Sequence, residues 1–117
     1  MDANNFVDVL KLVVNDAAVE DTISVLESPP GRRPSKELVD LSVFYNNQSD
    51  DDKELINRIM KMVADDALFG MLCVIDGVRA IEDDEDKGEL VLTYQKNNES
   101  PVILNENKNL HDIYNAG

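Results

Sequence analysis

The sequence SDDDKELINRIMKMVADDALFGMLCVIDGVRAIE, residues 49–82, decides the fold, because it holds the clearest helical pattern of the chain and the point where that pattern stops. Its apolar residues recur at steps of three and four, which places them on one side of an α-helix; they are Ile56, Ile59, Met60, Val63 and Ala67. Ser49 and Asp52 fit the capping-box spacing, and the carboxylates of residues 50–52 suit the positive end of a helix dipole. We therefore expect a long helix that begins near Asp50.

The end of this helix has two interpretations. The apolar spacing continues past Gly70 to Ile75, and Gly77 suits a helix C-terminus. A break at Gly70 would instead give a hairpin with Asp76-Gly77 as its turn, because Asp-Gly between apolar runs is a strong type I′ signal. The strands of that hairpin would be residues 72–75 and 78–81. We favour the helix, and residues 68–81 remain open between the two.

The chain before residue 49 also has helical spacing, interrupted once. Residues 4–28 carry an apolar series that begins at Phe6 and ends at Leu26. Within it, Asn15-Asp16 could cap a fresh helix or lie inside a longer one. The sequence SPPGRRPS, residues 28–35, has three prolines and a glycine, which predicts a loop. Ser35 is then a suitable N-cap for a further helix.

In the last third of the chain, the helical spacing of apolar residues gives way to short β-rich runs. ELVLTYQ and PVILNE are short β-rich runs joined by KNNES, which predicts a hairpin with a longer loop. In NLHDIYN, helical spacing returns and predicts a short terminal helix. The sequence therefore predicts an α+β protein: a predominantly helical N-terminal two-thirds, a C-terminal β-hairpin and a short terminal helix. The length of 117 residues predicts a single domain, residues 1–117.

The charge balance limits the classes of partner that the chain can bind. Twenty-four acidic residues against eleven basic ones give a net charge of −13. Such a field repels nucleic acid and anionic membranes, and it attracts basic proteins and speeds their encounter. No apolar run is long enough to span a membrane, and the N-terminus lacks the positive charge of a signal peptide. These features predict a cytoplasmic protein without nucleic-acid or membrane partners.

Few residues could support catalysis or bind a metal. Cys73 is the single cysteine and lies among apolar neighbours, which predicts a small buried side chain and excludes a cysteine-based zinc site. His111 is the single histidine, and adjacent Asp112 would point in a different direction on a helix. There is no phosphate-binding glycine loop, nucleophile elbow or zinc signature. We therefore expect no enzyme activity, no cofactor and no metal.

Five consecutive carboxylates form the densest acidic feature of the chain. They are Glu82, Asp83, Asp84, Glu85 and Asp86. A calcium loop starting at Asp83 would place Lys87 at a ligand position and Tyr94 where a bidentate glutamate is needed, so the spacing argues against calcium. A solvated loop is the simplest interpretation, since like charges repel each other. The run is also the first place to expect contact with a basic partner.

Asp65 and Asp66 are the second acidic pair with a predicted role. Asp66 continues the side of the helix defined by Ile59 and Met62, and a carboxylate on an apolar stripe must reach solvent, a cation or a hydrogen-bond donor. The candidate cations are Arg32, Arg33, Arg58 and Arg79. A structural salt bridge is the main alternative to partner binding for this pair.

Residues 67–115 resemble a pattern found in small bacterial proteins. There, an apolar helix ends in a segment like LDGVRAIE, here VIDGVRAIE, and is followed by a short hairpin and a motif like LHDIYN, here residues 110–115. Many small acidic proteins of this build are immunity proteins, which neutralise bacterial toxins. The resemblance implies a toxin-binding protein and no catalytic residues.

Two functions follow as expectations. The first is a non-catalytic protein-binding domain of the immunity type, which neutralises a basic toxin such as a nuclease. Its predicted contacts are Glu82, Asp83, Asp84, Glu85, Asp86, Asp65 and Asp66. The alternative is a regulatory or adaptor domain that forms a homo-oligomer through an apolar helical face.

Overall fold

A computed structural model describes all residues 1–117 and confirms the predicted α+β class. The elements in chain order are α1 (Ala3–Leu10), a π-helical segment (Lys11–Asp16), α2 (Ala17–Glu27), α3 (Lys36–Asn46), α4 (Asp50–Ile75), β1 (Thr93–Tyr94), β2 (Val102–Ile103) and α5 (Leu110–Ala116). The residues group into two compact units, unit 1 with residues 1–12 and 66–117, and unit 2 with residues 13–65. The single domain expected from the chain length stays a prediction. No helix is both long and apolar enough to cross a membrane.

Helix α4 begins and ends as the helical interpretation predicts. The Asp52 amide donates to Ser49 Oγ at 3.1 Å, which satisfies one of the free N–H groups of the first turn. The helix then continues through Gly70 to Ile75, so residues 72–81 form no hairpin. Gly77 adopts φ +78°, and its amide donates to the Val74 carbonyl at 3.1 Å. A left-handed glycine at this point ends the helix without steric cost.

Replacing Gly77 with alanine should therefore destabilise the protein. A Cβ atom at φ +78° is strained whatever space surrounds it, so we expect Gly77→Ala to lower the free energy of unfolding by about 1 kcal/mol. Urea unfolding measures the difference. Gly88→Ala is the matched control, because Gly88 has no positive φ and an added Cβ would meet only ordinary contacts with Glu82. Equal losses in both variants would contradict this account of the helix end.

Apolar residues occupy two sides of α4, and the predicted single face is wrong in part. Ile56, Met60 and Ala64 are half-buried, and they lie on the side of α4 from which Asn57 accepts a 2.8 Å hydrogen bond from the Tyr45 hydroxyl. The adjoining side carries four exposed residues, which we call the outer stripe: Leu55, Ile59, Met62 and Val63. Ile59, Val63 and Ala67, predicted to lie with Ile56 and Met60, are thus solvent-exposed. Spacing of three and four fits both sides, so period alone does not identify the packed one.

The N-terminal helical segment is confirmed, with a π-helical insertion that the sequence did not predict. Asn15-Asp16 lies inside continuous helix rather than at a fresh cap. Asn15 is buried, and its Nδ2 donates to Asp65 Oδ1 at 2.7 Å. The predicted loop at residues 28–35 is present, and the Leu38 amide donates to the Ser35 hydroxyl at 3.2 Å, which confirms the predicted N-cap.

The two units are stabilised differently. In unit 1, four buried side chains form the hydrophobic core; they are Val7, Leu72, Leu110 and Tyr114. Cys73 is also buried, as predicted. In unit 2 only Asn15, Ser42 and Tyr45 are buried, and polar contacts join its helices. The Ser42 hydroxyl donates to the Leu26 carbonyl at 2.6 Å, which ties α3 to α2. Unit 2 therefore leaves most of its aliphatic surface partly or fully exposed.

The predicted C-terminal hairpin is present but short. Thr93 pairs with Ile103 and Tyr94 with Val102 in an antiparallel register. In the first β-rich run, Leu92 and Tyr94 are half-buried, whereas Leu90 is exposed. The terminal helix α5 follows, and Leu110 and Tyr114 place its inner side in the core of unit 1.

Candidate functional site: an acidic loop in unit 1

The five predicted carboxylates lie together in the connection between α4 and β1. We call residues 76–92 the acidic loop; it has neither helix nor strand. All five side chains are exposed. Glu82 Oε2 accepts a hydrogen bond from the Gly88 amide at 2.8 Å, which folds the run back on itself. The other four carboxylates form no hydrogen bond or ion pair within the chain. Their charge is therefore available to a partner.

The base of the acidic loop is closed by one buried side chain, Asn105. Its Nδ2 donates to the Ile75 carbonyl at 3.0 Å and to the Leu90 carbonyl at 2.7 Å, while its Oδ1 accepts from the Leu92 amide at 2.9 Å. These bonds join the end of α4 to the last residues of the loop. Because every polar atom of this buried amide has a partner, the loop leaves and re-enters the fold at a fixed point. Sequence reasoning missed Asn105, which had no distinguishing motif.

Exposed apolar residues flank the carboxylates on both sides. Val78 and Ile81 precede the run, and Leu90 and Val91 follow it, with exposures from 44% at Leu90 to 66% at Ile81. The apolar surface of these residues is removed from water only when another molecule covers it. The acidic loop thus has an apolar border on both sides of its charged run.

A cavity of about 510 Å³ lies beside the run, within unit 1. Apolar parts of its lining come from Val74, Ile75, Ile81 and Leu90, and its charged lining residues are Asp76, Arg79, Glu82, Lys87, Glu89 and Lys108. Lys108 Nζ lies 3.3 Å from Glu89 Oε1 across this lining. Arg79, predicted as a possible cation for nearby acids, forms no ion pair; its guanidinium lies against the backbone of Gly70, where an added Cβ would be 2.6 Å from Nη1.

The second predicted acidic pair divides into two roles. Asp65 is half-buried and accepts the Asn15 hydrogen bond, and its Oδ2 lies 3.7 Å from Lys61 Nζ. Asp65 therefore has the structural role that was the alternative to partner binding. Asp66 is exposed and forms no hydrogen bond or ion pair. None of the four predicted arginines pairs with it, and it needs no such partner, because its carboxylate is in solvent.

Half-buried His111 and buried Asp76 form a pair that sequence reasoning did not identify. His111 Nδ1 lies 2.5 Å from Asp76 Oδ2, and the same oxygen accepts the His111 amide at 2.9 Å. Asn109, the N-cap residue of α5, makes no side-chain capping bond, so Asp76 provides the acceptor for that helix end. His111 Nε2 lies 3.4 Å from Asp112 Oδ1. Both ring nitrogens thus face carboxylates, an arrangement that orients the ring and ties α5 to the end of α4.

No three metal-binding side chains are grouped so that they could hold an ion. Comparison of the chain with protein-family models, with curated proteins and with solved structures found no match.

Proposed function

We propose that this chain is a non-catalytic protein-binding domain of the immunity type, which contacts a basic protein through the acidic loop. The observation that carries the proposal is the placement of Glu82, Asp83, Asp84, Glu85 and Asp86, all exposed in one loop whose base is fixed by Asn105. Four of these carboxylates have no partner within the chain. A cationic surface can therefore pair with them without breaking existing bonds.

The charge favours a cationic partner such as a nuclease toxin. A nuclease attracts phosphate with Lys and Arg, and a carboxylate cluster can compete for the same cations. Asp66 stays a predicted contact because it is exposed and unpaired, whereas Asp65 is already bonded to Asn15. On this proposal the protein acts in the cytoplasm and needs neither nucleic acid, membrane nor cofactor.

The apolar border of the loop can supply binding affinity that charge alone does not provide. Exposed ion pairs contribute little affinity, because the attraction is weak in water, is screened by salt and costs side-chain freedom. Ile81, Leu90 and Val91 offer apolar area next to the run, and the adjoining cavity offers a recess for a partner side chain. Charge would then speed the encounter and fix the orientation, while apolar contact slows dissociation.

The proposal predicts salt-sensitive binding to a basic protein encoded near this chain's gene. We expect calorimetric titration of each basic neighbouring gene product to find one that binds at about 50 mM salt and several-fold more weakly at about 200 mM, because screening shortens the reach of exposed charges. Acidic neighbouring products serve as controls. If every basic neighbour fails to bind, or binds equally at both salt concentrations, the proposal is wrong.

The outer stripe of α4 favours a second candidate, a regulatory or adaptor domain that forms a homo-oligomer. Four exposed apolar side chains on one side of one helix could pair with a second copy. Light scattering at high concentration distinguishes the candidates. A monomer of 13.1 kDa agrees with the first, and a stable dimer agrees with the second.

A further inference from the structure

The outer stripe is the largest apolar feature of α4 that the chain itself leaves uncovered. Leu55, Ile59, Met62 and Val63 are between 52% and 59% exposed. At 100° per residue, the four side chains lie within about 100° of the helix circumference, which is one side of the helix. A soluble protein rarely leaves such a row in water unless another surface covers it.

Packing within unit 2 does not require these exposed apolar residues, whereas binding of a partner would. The adjoining side of α4 already contributes to the fold of unit 2, through half-buried Ile56, Met60 and Ala64 and through the hydrogen bond from Tyr45 to Asn57. Polar residues at positions 55 or 59 would therefore leave the packing of α4 intact. A helix with one packed side is normally polar on the other.

The charges near the outer stripe indicate which kind of molecule binds there. Asp51 and Asp52 are exposed one turn before Leu55, and in helical projection they lie on the same side of α4 as the stripe. Arg58 is the one cation next to the stripe, and Lys61 lies 3.7 Å from Asp65. A second copy would bring another net charge of −13 to this surface, which opposes self-association. A partner segment that carries lysines or arginines beside its apolar residues would be complementary.

We propose that the outer stripe binds an amphipathic helix of a protein partner, with its apolar face on Leu55, Ile59, Met62 and Val63 and basic residues near Asp51 and Asp52. The inference rests on the proposed protein-binding function but uses a surface separate in sequence from the acidic loop. Helix-in-groove recognition reads its partner through apolar anchors at three- and four-residue steps, which the stripe presents.

Two synthetic helical peptides test this proposal: both carry the same leucine face, one flanked by lysines and the other by glutamates. We expect fluorescence anisotropy to detect binding of the lysine peptide only. The double variant Ile59→Ser/Met62→Ser should weaken that binding about tenfold or more, because it removes two apolar anchors without changing charge. Leu41→Ser/Val43→Ser on α3 is the matched control, since those side chains are 51% and 55% exposed, and it should retain full affinity.

Three outcomes would overturn the proposal: equal binding of both peptides, equal loss in the stripe and control variants, or a dimer in light scattering that Ile59→Ser/Met62→Ser converts to monomer. The last would assign the stripe to a second copy. Circular dichroism confirms that each variant is folded. The acidic loop is unchanged in both variants, so failure here leaves the salt-sensitive binding test of the proposed function standing, and the reverse also holds.

Discussion

His111→Ala should lower the free energy of unfolding by about 3 kcal/mol, because it removes the side-chain partner of a buried carboxyl group. Asp76 has no solvent-exposed side-chain surface, and its Oδ1 is buried without a hydrogen-bond partner. After the substitution only the backbone amide of residue 111 would remain as a donor to Oδ2. The carboxyl group would then be desolvated with little compensation. Urea unfolding followed by circular dichroism measures the loss.

Asp112→Asn provides the control for this variant. Asp112 lies 3.4 Å from His111 Nε2, but its side chain is 76% exposed, so we expect a change below about 0.5 kcal/mol. A double-mutant cycle with Asp76→Ala should show that His111 and Asp76 are coupled, with the second substitution costing much less than the first. Equal effects of His111→Ala and Asp112→Asn, or additive effects in the cycle, would contradict the structural role of the pair.

Local signals explain why most helices could be predicted. Ser35 and Ser49 cap α3 and α4 through bonds to amides three residues ahead, and the proline-rich residues 28–35 separate two helices. Gly77 ends α4 because glycine adopts a positive φ readily. Each of these signals acts within a few residues, so the sequence alone contains it.

The π-helical insertion could not be predicted in the same way. Asn15 turns inward to bond with Asp65, fifty positions away along the chain. A tertiary contact of this kind leaves no periodic trace in residues 11–16. The packed side of α4 was misassigned for a related reason: Ile56 and Ile59 both fit the helical period, and only the position of Tyr45 beside Asn57 distinguishes them.

The sequence predicted the carboxylates of the candidate site but not the residues that hold the loop in place. Five consecutive carboxylates between apolar segments indicated a solvated loop, and the loop is exposed. Asn105, which closes its base, lies about thirty residues from Ile75, and Asp76 lies thirty-five from His111. His111 was considered beside its neighbour Asp112, and Asp76 was considered only as a turn residue. A polar residue at a helix end could have been weighed as a distant cap, but many residues share that signal.

Removing the five loop charges should weaken binding of a basic partner about tenfold to a hundredfold at low salt. The variant replaces Glu82, Asp83, Asp84, Glu85 and Asp86 with the corresponding amides. Amides keep the shape of each side chain, and the amide oxygen introduced at position 82 would still accept the hydrogen bond from the Gly88 N–H. The loop should therefore stay folded while it loses the charges that steer a cationic surface. Stopped-flow measurement should place much of the loss in the association rate.

A second variant distinguishes the effect of net charge from the effect of the carboxylates in the acidic loop. It replaces Asp8, Glu20, Asp21, Glu27 and Glu37 with amides; all five are exposed on α1, α2 and α3. Both variants change the net charge from −13 to −8. Any effect of overall charge is thus the same in the two proteins, and only the site of the lost carboxylates differs.

The most direct test of the account is the affinity of these two variants for the same basic partner, measured side by side at about 50 mM salt. Binding through the acidic loop predicts that the loop variant loses about tenfold or more while the helix variant remains within about threefold of the original protein. Equal losses in the two variants, or a greater loss in the helix variant, would contradict it.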